Sequence, residues 1–191
     1  MDTRVQHGIK NKIIPAECGA DHPERVAVEN FRHIHFGRYE ESVGRERDIF
    51  DDSSTYIVIS ENDTIAAVCR LIHRPPEIML PIQIRGDLEE TLPYTAEVSR
   101  IGFKHRVSEP EIVRDALYRA IFEELSRLEY EQAYASVQPY YLRTLQDLFG
   151  RTVMMQVGDL ATRVKAGKET KYVPMGINVS AWSEYFKKWD G

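Results

Sequence analysis

Cysteine is scarce. Cys18 and Cys69 are the only two in 191 residues; they lie far apart, with no His or Cys at ligand spacing, which excludes a disulfide framework and a Cys/His zinc site. Long hydrophobic runs are missing too. The apolar stretches are short and broken by charge, and none approaches the ~20 residues of a membrane span. The opening MDTRVQHGIKNK lacks the apolar segment of a secretory signal. There is no excess of positive charge: 25 Lys and Arg against 30 Asp and Glu give a net charge of −5, which argues against a nucleic-acid partner. The expectation is a cytoplasmic protein with two reduced thiols, no metal, no permanently bound cofactor and no membrane span. What is present is ordinary globular composition, 42% hydrophobic and 29% charged. A chain of this length can build one core without staples, so a single domain over residues 1–191 is expected.

Residues 1–22 show no clear period and are expected to form a loose N-terminal arm. Pro23 opens a helical stretch with Val26, Phe31 and Ile34 on its apolar side, ended by Gly37 or Gly44. Thr55–Ser60 and Thr64–His73 read as a β-hairpin across Glu61-Asn62-Asp63. Glu77–Ile84 (EIMLPIQI) reads as a Pro-interrupted edge strand, and Tyr94–Phe103 as a fourth strand. From Glu111 to Tyr130, Val113, Ala116, Leu117, Ala120, Ile121, Leu125 and Leu128 form one apolar stripe of a long helix, with Ser108 and Glu111 as a capping box. Strand Gln132–Val137, helix Tyr140–Phe149 stopped by Gly150, strand Thr152–Val157, strand Lys171–Val179 and helix Ser180–Trp189 complete the chain. A strand, a long helix and another strand imply a parallel crossover at Tyr94–Val137. The fold class is α/β, a mixed central sheet flanked by helices, in the element order of the GNAT-like acyltransferase fold.

Four features could carry chemistry. Glu46-Arg47-Asp48-Ile49-Phe50-Asp51-Asp52 is an acidic cluster with an aromatic inside it. Arg70 interrupts an apolar strand, Met79-Leu80-Pro81 follows, and Glu97-Val98-Ser99-Arg100 puts charge into a strand that the crossover makes central. Charge in a central strand is costly unless paired, so Arg70 and Arg100 should pair with Glu97, Asp48 or Asp51. Such a network can be purely structural. Strict alternation puts Glu97 and Ser99 on one face and Arg100 on the other, so either a bulge turns Arg100 or it does a different job.

In this order the motifs resemble those of the LuxI-type acyl-homoserine-lactone (autoinducer) synthases. They are also similar to the N-acyl amino acid synthases and the exosortase-associated acyltransferases. The likeness runs from about Arg32 to Phe103, more weakly through Gln138–Gly150. It implies amide formation from an acyl thioester, in quorum sensing or a related pathway. It also implies that Arg32, Phe36, Asp48, Asp51, Arg70, Glu97 and Arg100 occupy positions used for substrate binding and catalysis. The acceptor is the amino group of an amino acid or of S-adenosylmethionine. Tyr39 stands where those synthases carry a Trp of the amino-substrate site, and Ala66-Ala67 where a Gly is usual; the Trp departure weakens S-adenosylmethionine more than it weakens acyl transfer. The expected catalytic set is Glu97, Ser99 and Arg100, and the expected amine-binding set is Arg32, Phe36, Tyr39, Glu46, Asp48, Phe50, Asp51 and Arg70.

Glu97 is the candidate base. An α-amino group with a pKa of roughly 8 must lose a proton before it attacks, and a carboxylate working through a water can take it. A bulge or splay in the fourth strand would free an N–H for the thioester oxyanion.

Ahead of the long helix, Lys104–Ile112 reads KHRVSEPEI, without the Gly-rich loop that holds a CoA pyrophosphate. Acyl carrier protein presents its chain on phosphopantetheine, lacks that pyrophosphate and is acidic. The basic run Arg151, Arg163, Lys165, Lys168 and Lys171, together with Lys104, His105 and Arg106, suits it. Lys104, Arg106, Arg151, Lys165 and Lys168 are therefore the expected carrier-protein contacts. The rival readings are an acetyl-CoA- or acyl-CoA-dependent N-acetyltransferase and a catalytically silent acyl-binding module.

Overall fold

The structure is a computed structural model that describes residues 8–19, 21–36, 48–73, 79–165 and 168–189. The chain divides into two compact units, one of residues 1–72 with 99–121 and one of 73–98 with 122–191.

In the first unit, Thr55, Ile57, Val58 and Ile59 favour β2 (Ser54–Glu61), and Thr64, Ile65, Val68 and Ile72 favour β3 (Thr64–His73); the two strands pair antiparallel. Asn62 and Asp63 turn the chain between them with φ of 50° and 61°, the left-handed pair that a two-residue hairpin needs and that Asn and Asp tolerate best after Gly. Within the stretch expected to be a loose arm, Ile9–Ile14 is instead a strand. β1 (Ile9–Ile14) pairs antiparallel with β2, Ile9 opposite Glu61 and Ile14 opposite Tyr56. Its two end isoleucines are buried and supply the apolar burial that holds it. Packed on this hairpin is α1 (Pro23–Phe36), through Val28 and Phe31 against Ile14, Tyr56, Val58 and Val68. Each such side chain contributes about 1.5–3 kcal/mol by leaving water.

The inner face of α1 is offset from the expected one: Ile34 is 66% exposed, while Arg25, Glu29 and Arg32 are buried beside Val28. The expected ends of this helix at Gly37 or Gly44 lie outside the described residues.

In the second unit, the first part of β4 (Ala96–Phe103) runs parallel to β5 (Gln132–Val137), the arrangement expected of the crossover. β5 pairs antiparallel with β8 (Lys168–Asn178), and β8 also carries β6 (Met154–Gln156) and β7 (Ala161–Lys165). β7 has no counterpart in the sequence reading, because ATRVK is short, polar and lacks an apolar alternation. α4 (Pro139–Phe149) ends at Gly150, whose φ of 93° is open to glycine at little cost. Phe149 of α4, Trp182 and Phe186 of α5 (Val179–Trp189), and Phe122 pack in tilted and edge-on pairs as an aromatic core.

The expected edge strand at Glu77–Ile84 is corrected. Residues 74–78 lie outside the described ones, and Pro81–Ile84 is a short helix, α2. Pro81 sits at its first turn, where a missing N–H does no harm, and the Leu80 carbonyl accepts from the Gln83 and Ile84 N–H groups. The connecting helix α3 (Pro110–Arg127) buries Val113, Leu117, Ala120, Ile121 and Leu125 along the expected stripe. It starts at Pro110, so the position before the helix falls to Glu109 rather than Ser108. The Ser108 N–H donates instead to the Glu61 carboxylate, at 3.1 and 3.2 Å. Among the described residues no helix is long and apolar enough to cross a membrane.

Candidate active site

Each unit holds one charged cluster, and β4 contributes residues to both. In the first unit the cluster is built on the turn before β2. Residues 51–53 form a single 3-10 turn. Phe50 donates its N–H to Asp48 Oδ1 at 2.9 Å, and its carbonyl accepts from the Ser53 and Ser54 hydroxyls at 3.2 and 2.5 Å. Arg25 clamps the turn from below, donating to the carbonyls of Asp51 at 2.8 Å and Ser54 at 2.7 Å.

On this scaffold Asp51 accepts from Arg70 Nη1 at 2.7 Å, from Arg32 Nη1 at 3.1 Å and from the Tyr56 hydroxyl. Arg70 also donates to Asp48 Oδ1 at 2.7 Å and through Nε to Ser99 Oγ at 3.1 Å. Arg100 closes the ring on Asp48 Oδ2 at 2.8 Å. Arg100 does so because the alternation of β4 breaks there: its φ is +50°. A left-handed residue in a strand swings its side chain out of register, so Ser99 and Arg100 both join one network.

Burial pulls the Asp51 carboxyl up, yet Arg32, Arg70 and the Tyr56 hydroxyl outweigh it and hold the group at about 2. Asp48 is likewise lowered against its own burial by Arg70 and Arg100. Arg70 resists burial through the same two carboxylates and keeps its proton more firmly than a free guanidinium. The Tyr56 hydroxyl is raised by burial and by Asp51. Cys69, beside Arg70, is wholly buried with its thiol on the Ser99 carbonyl, and burial pushes that thiol up.

In the second unit the cluster centres on Glu97, which is buried. Its Oε2 accepts the Ile82 backbone N–H from α2 at 2.7 Å, and its Oε1 accepts Arg85 Nη2 at 2.9 Å. The β4–β5 ladder joins Ala96 to Ala133 and Glu97 to Tyr134 and does not extend to Val98. Arg85 also donates Nε to Asp87 Oδ2 at 3.2 Å. Asp87 takes a second guanidinium, from Arg163, which is held in turn by Ser136 Oγ at 2.7 Å and by the face of Tyr172 at 4.3 Å.

Arg163 therefore leaves the basic run expected to face a carrier protein and serves the interior. Of that run, Arg151, Lys168 and Lys171 are exposed, as is Arg106, while Lys104 is half-buried and donates its N–H to the Ala66 carbonyl at 2.8 Å. The side chains of Phe36 and Lys165, and all of Tyr39 and Glu46, lie outside the described residues. Arg32 is wholly buried and bonds Asp51 and Tyr56. Arg85, Asp87 and Tyr56 were not anticipated. Arg85 and Glu97 are joined by a tertiary contact across 12 positions, and a spacing of that kind has no period to give it away. Tyr56 alternates with Arg70 across a hairpin whose register, Tyr56 opposite Arg70, is set by its turn.

No protein-family model matches the chain, and no curated protein matches it in sequence. Solved structures do. The chain resembles FeeM, an N-acyl amino acid synthase from uncultured soil microbes, with a TM-score of 0.66 at 14% identity over 93% of each chain. BjaI, a CoA-dependent acyl-homoserine lactone synthase solved with S-adenosylmethionine and isopentyl-CoA, gives a TM-score of 0.68 at 17% identity, covering 95% of this chain and 89% of its own. A Lactobacillus plantarum protein assigned as an N-acetyltransferase gives 0.60 at 16% identity, covering 90% and 99%. Likeness at these identities carries the fold: a GNAT-like mixed sheet flanked by helices, the class expected from the order of elements. The neighbours include both synthase groups that the motifs resemble.

Proposed function

We propose that this chain is an N-acyltransferase that moves a fatty acyl group from a phosphopantetheine thioester to the amino group of an amino acid or of S-adenosylmethionine. The observation that carries the reading is Glu97: a buried carboxylate, fixed by an N–H and a guanidinium, at the point where β4 stops pairing with β5.

In this reading the acceptor arrives as an ammonium. Glu97 takes one proton through a bridging water, and the freed nitrogen lone pair attacks the thioester carbonyl. Negative charge collects on the carbonyl oxygen, where the β4 backbone beyond Glu97 donates N–H groups to it. The C–S bond then breaks, the sulfur takes the second proton from the attacking nitrogen and leaves as a thiol, and the amide remains. Asp48, Asp51, Arg70 and Arg100 keep the turn at residues 48–54 in one shape. Ser99 aligns Arg70.

Acyl carrier protein is the favoured donor. Ahead of α3, where a CoA pyrophosphate needs N–H donors, the Ser108 N–H is already taken by the Glu61 carboxylate. One finding favours CoA as a second reading: BjaI, of this fold, is named as CoA-dependent. Mass spectrometry of lipid extracts from cells expressing the protein tests the reading. N-acyl amino acids or N-acyl homoserine lactones should accumulate over a vector control, and their absence with every donor chain length would refute it.

A further inference from the structure

Of the three side chains Glu97, Arg85 and Asp87, only Arg85 reaches solvent: it is 33% exposed, against 2% and 1% for the carboxylates. Its Nη2 is spent on Glu97 and its Nε on Asp87, while Nη1 meets no acceptor among the described residues. A guanidinium is a rigid planar fork, so fixing two of its nitrogens fixes the third. The fixing is deep. Asp87 Oδ2 is held between Arg85 and Arg163, and Arg163 is locked by Ser136 and Tyr172. Although burial alone would raise the Asp87 carboxyl, Arg163 and Arg85 lower it, so the anion persists through the neutral range and keeps its grip. Among the described residues, the cluster brings two carboxylates, Glu97 and Asp87, onto two guanidiniums, Arg85 and Arg163. It presents a cationic donor and an anionic acceptor 2.9 Å apart, one of them open to solvent.

We propose that Arg85 is the specificity-determining residue that binds the α-carboxylate of the amino acceptor, with Asp87 as the residue that positions Arg85. The inference rests on the functional reading above and names the side chain that reads its acceptor. An α-amino acid carries its ammonium and its carboxylate on one carbon. With its carboxylate on Arg85, the substrate carries its nitrogen one carbon away from a guanidinium that itself meets Glu97 at 2.9 Å. A charge-assisted pair with a preset fork discriminates strongly against an acceptor that lacks the acid. A simple alkylamine presents no acceptor to Nη1, and a carboxamide presents only one neutral carbonyl oxygen.

The test uses the full chain and a panel of L-α-amino acids with S-adenosylmethionine, each paired with its carboxamide or decarboxylated counterpart. Binding is read by calorimetry, and acylation is read with a fixed acyl thioester. The expected result is at least a ~10- to 100-fold preference for carboxylate-bearing members in both readouts. Arg85→Gln should bring that ratio to about one, mainly through KM. Asp87→Asn should lower it, and Arg85→Lys should recover part of it. If Arg85→Gln does not fold, the wild-type ratio and Arg85→Lys still decide. Equal binding and acylation of acids and amides by the wild type, or an unchanged ratio in folded Arg85→Gln, would overturn the inference and leave the acyltransferase reading standing. Arg85-dependent binding of acids without any amide product would do the reverse.

Discussion

Ile82 donates its backbone N–H to Glu97 Oε2 at 2.7 Å, so the first turn of a four-residue helix holds the carboxylate on which the proposed chemistry turns. A backbone donor cannot rotate away, and it leaves the position of Glu97 to the fold rather than to side-chain packing. Two and three residues further along the same strand, Ser99 and Arg100 contact Arg70 and Asp48. Short steps along β4 therefore separate the proposed proton acceptor from groups that hold a loop.

Acid should loosen the loop cluster first. Asp51 titrates at about 2 rather than at 3.8. A depressed folded-state value means that the stabilisation is complete above the ordinary carboxylate range and is lost as pH falls from about 4 towards 2. The loss amounts to ~2 kcal/mol. Denaturant melts across that window should show the slope in the wild type and a flatter profile in Asp51→Asn. Parallel profiles would contradict the assignment.

Removing the charge altogether should be worse than protonating it. Asp51→Ala leaves Arg32 and Arg70 buried without their shared carboxylate, and deleting one partner of a buried ion network costs about 3–5 kcal/mol. Equilibrium unfolding measures it; a loss below ~1 kcal/mol would show that the cluster carries little of the fold.

Backbone geometry at Arg100 makes a separate prediction. Arg100→Ala and Arg100→Gly both lose the bond to Asp48, but only glycine relieves the φ of +50°. Arg100→Gly should be the more stable of the two by ~1 kcal/mol. An alanine variant as stable as the glycine variant would place the left-handed turn elsewhere.

The donor question turns on charge. Lys168→Glu and Arg151→Glu, both at exposed positions, should raise KM for an acyl carrier protein about tenfold, with the effect shrinking in salt. The same variants should leave KM for an acyl-CoA nearly unchanged. Equal effects on both donors would remove the basic run from carrier recognition.

Legibility followed periodicity. α3 and the β2–β3 hairpin were readable because Val113, Leu117, Ile121 and Leu125 recur at helical steps and because Asn62-Asp63 is strong turn chemistry. β1 escaped because IKNKII buries only its two ends. EIMLPIQI looked like a strand because apolar density outweighed the proline, whereas Pro81 in fact starts a helix. The inner face of α1 was misjudged for a physical reason: it buries Arg25 and Arg32 for the turn at residues 48–54, and a hydrophobicity pattern counts such residues as solvent-facing. The pairing of Arg70 and Arg100 with Asp48 and Asp51 could be read from the cost of charge in strands, with Glu97 as a further candidate partner. Arg85 as a partner of Glu97 could not, since only α2 brings them together.

The most direct test of the central claim is the single-turnover rate of amide formation from an acyl thioester by wild type and Glu97→Gln, with thermal melts confirming that both fold. The account predicts amide product from the wild type and a rate lower by about 10²-fold or more in the variant. A folded Glu97→Gln that forms amide at the wild-type rate would contradict it.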